Sequence, residues 1–215
     1  MRTLLILTFL AVTLLTIAQN EISQEDYNQA TEAYNQATDF FYNKAYDQAL
    51  PLVKFAITMN NGNADYWFLK SNIESRKKQL DSALYSIQTA LDLAPDQSDY
   101  LLQKANTLFK LKQFEKAAAS YSSTLQNQYT SDIPVNEGHV LFNRGNCWLN
   151  LKKYAEAKSD FDLAIDEGYE VAMVYHNRAT AALRLGNKSD ACKDFRKAVE
   201  LESPISQKYV DKYCQ

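Results

Sequence analysis

The chain has 215 residues, enough for one ordinary domain or a short solenoid. A formal net charge of -3 and a pI near 5.5 argue against a general nucleic-acid binder, which would carry a basic face. The 46% hydrophobic content fits a folded protein, and only five Gly and four Pro leave little material for hairpins and strands, which favours an all-helical chain.

Met1 to Ala18 reads MRTLLILTFLAVTLLTIA: one Arg, then an apolar run of 14 residues from Leu4 to Ile17. A helix needs roughly 20 residues to span a bilayer core. A short apolar region after a positive start, ending on a small residue, has the form of a secretory signal peptide. Cleavage after Ala18 would leave Gln19 as the mature N-terminus, and an uncleaved anchor is the alternative. No Cys lies near that point, which disfavours a lipid anchor. The expectation is export to the periplasm or the medium, with no membrane span once the signal is removed.

From Ser23 to Asn43 the chain reads SQEDYNQATEAYNQATDFFYN. Ser23 with Asp26 predicts a helix N-cap, and the acidic first turn suits the helix dipole. Tyr27, Ala30, Tyr34, Ala37 and Phe41 fall on one helical face. Residues 19–29 are read as the lead-in to the first helix.

A repeat then governs the chain. Ala49, Ala83 and Ala117 are 34 apart, as are Val53, Ile87 and Tyr121. The series resumes after a step of 40 at Ala157, and Ala191 follows 34 later. Self-similarity at this period marks a repeat architecture. In the second unit, 64–97, a first helix is predicted over Tyr66–Arg76 and a second over Asp81–Leu93, with Pro95 ending the pair. Ala83, Ile87 and Ala90 share one face, the small Ala positions letting two helices approach closely. Such a hairpin cannot bury its face alone and must stack on neighbours.

These residues resemble the tetratricopeptide repeat. In repeat four, Leu141, Gly145 and Trp148 match the first-helix pattern and Ala157, Phe161 and Ala164 the second. Repeat five matches at Tyr175, Ala179, Ala191, Phe195, Ala198 and Pro204, and repeat three at Leu101, Ala105, Leu108, Ala117 and Tyr121. Repeat one keeps Ala49, Val53 and Ala56 but lacks a terminal Pro, and repeat two departs at Ser71 and Glu74. The resemblance implies an all-α, right-handed solenoid of five helical hairpins over 30–63, 64–97, 98–131, 138–171 and 172–204. An enlarged loop is expected near 127–137, either a binding loop or a tolerated insertion. Ile205, Tyr209, Val210 and Tyr213 again take helical spacing, so 205–215 is read as a capping helix over the last apolar face.

Chemistry is sparse. His139 and His176, the two histidines, have no Ser, Cys or second His three or four residues on to make a dyad or a metal pair. Cys147 lies two turns from His139, leaving a through-space pair as the one enzymatic alternative. No Gly-rich phosphate loop, HExxH or GxSxG occurs. Cys147, Cys192 and Cys214 make no zinc spacing, so neither a metal nor a cofactor is expected. In an oxidising compartment Cys192 and Cys214 are candidates for a disulfide pinning the cap, two free thiols being the alternative.

The resemblance also implies that the first helices line a concave groove. Asn72, Asn106 and Asn146 fall at equivalent places along them, and Asn143 and Asn177 form a second equivalent pair. An Asn side chain offers donor and acceptor together, so such a ladder suits the backbone of an extended peptide; bridging between adjacent helices, or simple solvation, is the competing reading. Phe68, Leu102, Phe142 and His176 stand one turn earlier, where they could hold ligand side chains, and His176 is expected to be exposed. The Lys/Arg pairs that some family members use to clamp a terminal carboxylate are missing at these places. The expected function is a non-catalytic protein-interaction module taking a peptide or protein segment in its groove. The alternative is a structural component of an envelope complex acting by self-association or its outer surface.

Overall fold

The computed structural model describes residues 22–127 and 134–215. The expected signal segment and the centre of the expected enlarged loop lie outside the described residues. What is described forms eleven α-helices, with no strand among the described residues. They pair as α1 (Gln24–Tyr42) with α2 (Tyr46–Met59), α3 (Ala64–Arg76) with α4 (Leu80–Leu93), and α5 (Ser98–Lys110) with α6 (Phe114–Gln126). Two further pairs follow, α7 (Glu137–Asn150) with α8 (Tyr154–Asp166) and α9 (Ala172–Arg184) with α10 (Lys188–Glu200), and then α11 (Pro204–Tyr213).

Local chemistry sets the helix ends. Ser23 Oγ accepts from the Asp26 amide at 3.0 Å and donates to the Asp26 carboxylate at 2.7 Å, satisfying an orphan donor of the first turn. Asn63 and Asn136 cap α3 and α7 through their side-chain oxygens in the same way. Inside every hairpin the first helix closes with paired reverse bonds, such as Gln113 N–H to Leu108 O and Lys112 N–H to Phe109 O, both 2.9 Å. This closure needs one left-handed residue. It is Lys44, Lys78, Lys112 and Lys152 in the first four hairpins, with φ near +60°, and Gly186 in the fifth. A lysine there costs about 1 kcal/mol relative to glycine, because its Cβ crowds the following carbonyl.

Packing within a hairpin repeats residue for residue. Val53, Ile87, Tyr121, Phe161 and Phe195 on the second helices are at most 1% exposed, and each contributes roughly 1.5–3 kcal/mol by burial. Beside them lie small residues of the first helices, Ala37, Ser71, Ala105, Gly145 and Ala179, all buried. Ser71 and Glu74 of the second hairpin, the two departures from the family pattern, are both buried as well. Ser71 Oγ donates to the Ala83 carbonyl at 2.8 Å. Glu74 accepts from Ser86 Oγ at 2.7 Å and from Lys70 Nζ at 2.9 Å. A buried polar triad thus stands where an aromatic ring is usual.

Hairpins stack through the contacts of each second helix with the next first helix. Neighbouring first helices also touch, α1 with α3, α3 with α5 and α7 with α9, while neighbouring second helices stay further apart. The stack therefore curves with its first helices on the inner side. Its C-terminal end is covered by α11, whose Tyr209 and Val210 pack with Cys214 against Ala179, Ala182 and Phe195. Cys192 of α10 and Cys214 are joined by a disulfide with a Cα–Cα separation of 5.5 Å. Closing that loop stabilises by about 3 kcal/mol on the chain-entropy model.

Two measurements check this account. Lys112→Gly should raise the urea-unfolding free energy by about 0.5–1 kcal/mol, the left-handed strain relieved exceeding the added entropy of the unfolded chain. Cys214→Ser should lower it by roughly 2–4 kcal/mol and make it insensitive to reductant, with hydrogen exchange speeding up first in α11.

Candidate groove on the inner face

The inner face presents one side of α3, α5, α7 and α9. Asn72, Asn106, Asn143, Asn146 and Asn177 all lie half-buried along it. Some of their capacity is used internally. Asn106 Oδ1 accepts from the Tyr121 hydroxyl at 2.7 Å, and burial raises the Tyr121 pKa, so the hydroxyl stays a donor. Asn177 Nδ2 donates to Asn146 Oδ1 at 2.7 Å across the fourth and fifth hairpins. Asn143 Nδ2 lies 3.2 Å from His139 Nε2. The Nδ2 groups of Asn106 and Asn146 remain available, and no side-chain bond holds Asn72 among the described residues. The internal bonds fix the orientation of the Asn106 and Asn146 amides, so their remaining donors point in one direction without further ordering.

The apolar positions one turn earlier divide. Phe68 stacks on Tyr100 of the next hairpin at 4.6 Å, and Phe142 packs between Phe161 at 6.0 Å and Tyr169 at 5.5 Å. Both are half-buried, as is Leu102, so each keeps part of its surface for a ligand. His176 is a correction. Expected to be exposed, it is only 6% exposed, with Nδ1 2.9 Å from Ser206 Oγ and its ring between Phe195 and Tyr209. Burial lowers its pKa, so it holds the last hairpin to α11 as a neutral ring. Sequence spacing placed it on the groove face, but α11 covers that face at its C-terminal end.

Cys147 is fully buried in the apolar cluster with Ala105, Leu108 and Tyr121, and burial pushes its thiol pKa up to about 12. His139, whose pKa is likewise lowered by burial, makes its contacts with Asn143 and Tyr169 instead. These two residues are not brought together as a nucleophile and base.

One constellation escaped the sequence reading. Lys70, Lys104, Arg144 and Arg178 occupy equivalent places in four hairpins; Arg144 and Arg178 reach between second helices, and Lys104 lines the cleft between α4 and α6. Arg144 makes a bidentate pair with Asp160, at 2.8 and 2.6 Å, and reaches Ser122 of the preceding hairpin at 3.0 Å. Arg178 pairs in the same way with Asp194, at 2.7 Å twice, and reaches Asp162 of the preceding hairpin at 2.8 Å. Lys70 bonds Ser86 and Glu74. Lys70, Arg144 and Arg178 each stand 16 residues before a bonded residue of their own hairpin, Ser86, Asp160 and Asp194, a spacing visible in the sequence once the hairpins are aligned.

Comparison with known proteins accords with this geometry. Models of the tetratricopeptide repeat match residues 34–98, 102–170 and 172–204. RNA polymerase II-associated protein 3 of Xenopus tropicalis is 40% identical over 60 residues, 28% of this chain and 9% of that protein. Sperm-associated antigen 1A of Danio rerio is 35% identical over 74 residues, 34% of this chain and 17% of that protein. The chain thus spans a small part of the length of either relative. Among solved structures, YrrB, described as a TPR protein with an unusual peptide-binding site, superposes with a TM-score of 0.75 at 18% identity, covering 92% of this chain and 96% of that one. MamA gives 0.72 at 14%, covering 86% and 95%, and the type IV pilus biogenesis factor PilW 0.68 at 17%, covering 80% and 77%. At these identities the likeness is one of fold. The chain belongs to the tetratricopeptide repeat family.

Proposed function

We propose that this protein is a non-catalytic adaptor that holds an extended peptide or protein segment along its inner face, in a compartment reached by export. The observation that carries the proposal is the row of half-buried amides at Asn72, Asn106 and Asn146, in which internal bonds orient Asn106 and Asn146 while donors remain unspent. Donors held in this way bind a peptide carbonyl with little further loss of side-chain freedom. Phe68, Leu102 and Phe142 would take apolar side chains from the same segment. Backbone pairing would recognise an extended chain, and these apolar surfaces would set the preference among sequences. YrrB, with its described peptide-binding site on the same fold, lends precedent. The leader-like Met1–Ala18 and the Cys192–Cys214 bond both favour an oxidising, exported setting.

The test is cross-linking capture from native extract or medium with the tagged chain from Gln19 onward. Asn106→Ala combined with Asn146→Ala should reduce capture of a dominant partner about tenfold or more. That variant leaves the Tyr121 hydroxyl without its acceptor, at about 1 kcal/mol, so helicity and thermal midpoint are measured alongside. Asn72→Ala removes no internal bond and should weaken capture with the midpoint unchanged. Undiminished capture by both folded variants would overturn the groove proposal.

A further inference from the structure

The cations at this place in the hairpins form a series with one interruption. Lys70, Arg144 and Arg178 each have an anionic partner: Glu74, Asp160, and Asp162 with Asp194. Lys104 has none. The positions that would supply its carboxylates hold Ser120 on its own hairpin and Gln88 on the preceding one. Among the described residues no side chain bonds the Lys104 ammonium. Without a bridging pair the notch between α4 and α6 stays open, a cleft of about 670 Å³ lined by Leu84, Tyr85, Gln88, Lys104, Leu108 and Ser120. Lys116 and Asp81, of opposite charge, also line it. In the fourth hairpin, where Arg144 is bound to Asp160, a hollow of about 430 Å³ beside that pair is lined by α7 and α8 alone and does not reach the preceding second helix.

Two features of the cleft specify what it takes. The cation is half-buried, so its charge is worth more to an anion than that of a lysine in open water. The wall is apolar, and Tyr85 stands 66% exposed, propped edge-on by Trp67 at 6.3 Å. The other hairpins show which anion fits this geometry: an Asp side chain presented from a second helix, as Asp160 and Asp194 do within their own hairpins and Asp162 does from the preceding one.

We propose that the α4–α6 notch is a second docking site, in which a partner segment places an Asp or Glu side chain on Lys104 and an adjacent apolar side chain against Leu84, Tyr85 and Leu108. The incoming carboxylate takes the place of the one the chain supplies itself at Asp160 and Asp194. The site lies on the outer face and is independent of the groove, so one chain can hold two segments at once.

The test uses labelled peptides with acetylated and amidated ends, in which Asp or Glu is flanked by Leu, Phe or Tyr, titrated by fluorescence anisotropy into the chain from Gln19 onward. These peptides should bind, and their Asn or Gln counterparts should bind roughly tenfold more weakly or worse. Lys104→Met should cause a similar loss. Ser120→Asp, which installs the internal partner present in α8 and α10, should also close the site while keeping the fold. The Asn106→Ala and Asn146→Ala variant should bind these peptides as the parent does. Absence of binding by every acidic peptide, equal binding of the amide counterparts, or full binding by either folded notch variant would overturn the proposal. So would binding only of a Gln peptide with a free C-terminal carboxylate, because the occupant would then be a chain end.

Discussion

Every hairpin depends on how closely its two helices approach at one point. The second helix contributes a fully buried side chain, Val53, Ile87, Tyr121, Phe161 or Phe195, and the first helix must leave room for it. Ala37, Ala105 and Ala179 do so with a methyl group, Ser71 with a hydroxyl that finds the Ala83 carbonyl, and Gly145 with no side chain at all. At Gly145 the constraint is tightest, since a Cβ would sit 2.7 Å from the Phe161 ring. Interiors packed at crystal-like density do not absorb such an overlap cheaply. The size of the second-helix residue and the smallness of its opposite number are therefore set together, hairpin by hairpin. Helix separation follows, and with it the angle at which the next hairpin stacks.

That stacking makes the two faces different. First helices approach one another and hold their amides side by side, which is how Asn146 comes to bond Asn177. Second helices diverge, leaving outward notches that the chain fills with Arg144 and Arg178 and their carboxylates. A guanidinium held by its own hairpin's carboxylate has a further N–H to cross that gap, to Ser122 or Asp162, and the unpartnered Lys104 does not cross it. The inner and outer faces are thus two consequences of one curvature. At the C-terminal end the curvature is brought to a close by α11, whose Tyr209 covers His176 and Phe195, with the Cys192–Cys214 bond beside them.

The 34-residue repeat of Ala49, Ala83 and Ala117 made the hairpins legible, because small-residue spacing is a direct record of helix approach. The terminal helix was readable too, from Tyr209, Val210 and Tyr213 at helical spacing. Periodicity reports which side of a helix a residue occupies but not what covers that side. His176 shows the difference: it lies on the groove face by register and beneath α11 in the fold. The Asn positions were identified by register alone, and their internal bonds to Tyr121 and Asn177 depend on distances between helices that no linear pattern records. The outward cation series was within reach, since Arg144 and Asp160 stand 16 apart like Arg178 and Asp194. It becomes visible only when the hairpins are compared column by column for charge as well as for size.

Whether a partner lies along the inner face is best tested by photo-cross-linking in native extract, with a photoreactive residue at position 72 in one variant and at position 163 in another. Position 72 is on the inner face of α3, and Leu163, 46% exposed, is on α8 away from both proposed sites. The account predicts a dominant adduct from position 72 and none of that species from position 163. An adduct formed from position 163 alone would contradict it and assign partner binding to the outer surface of α8.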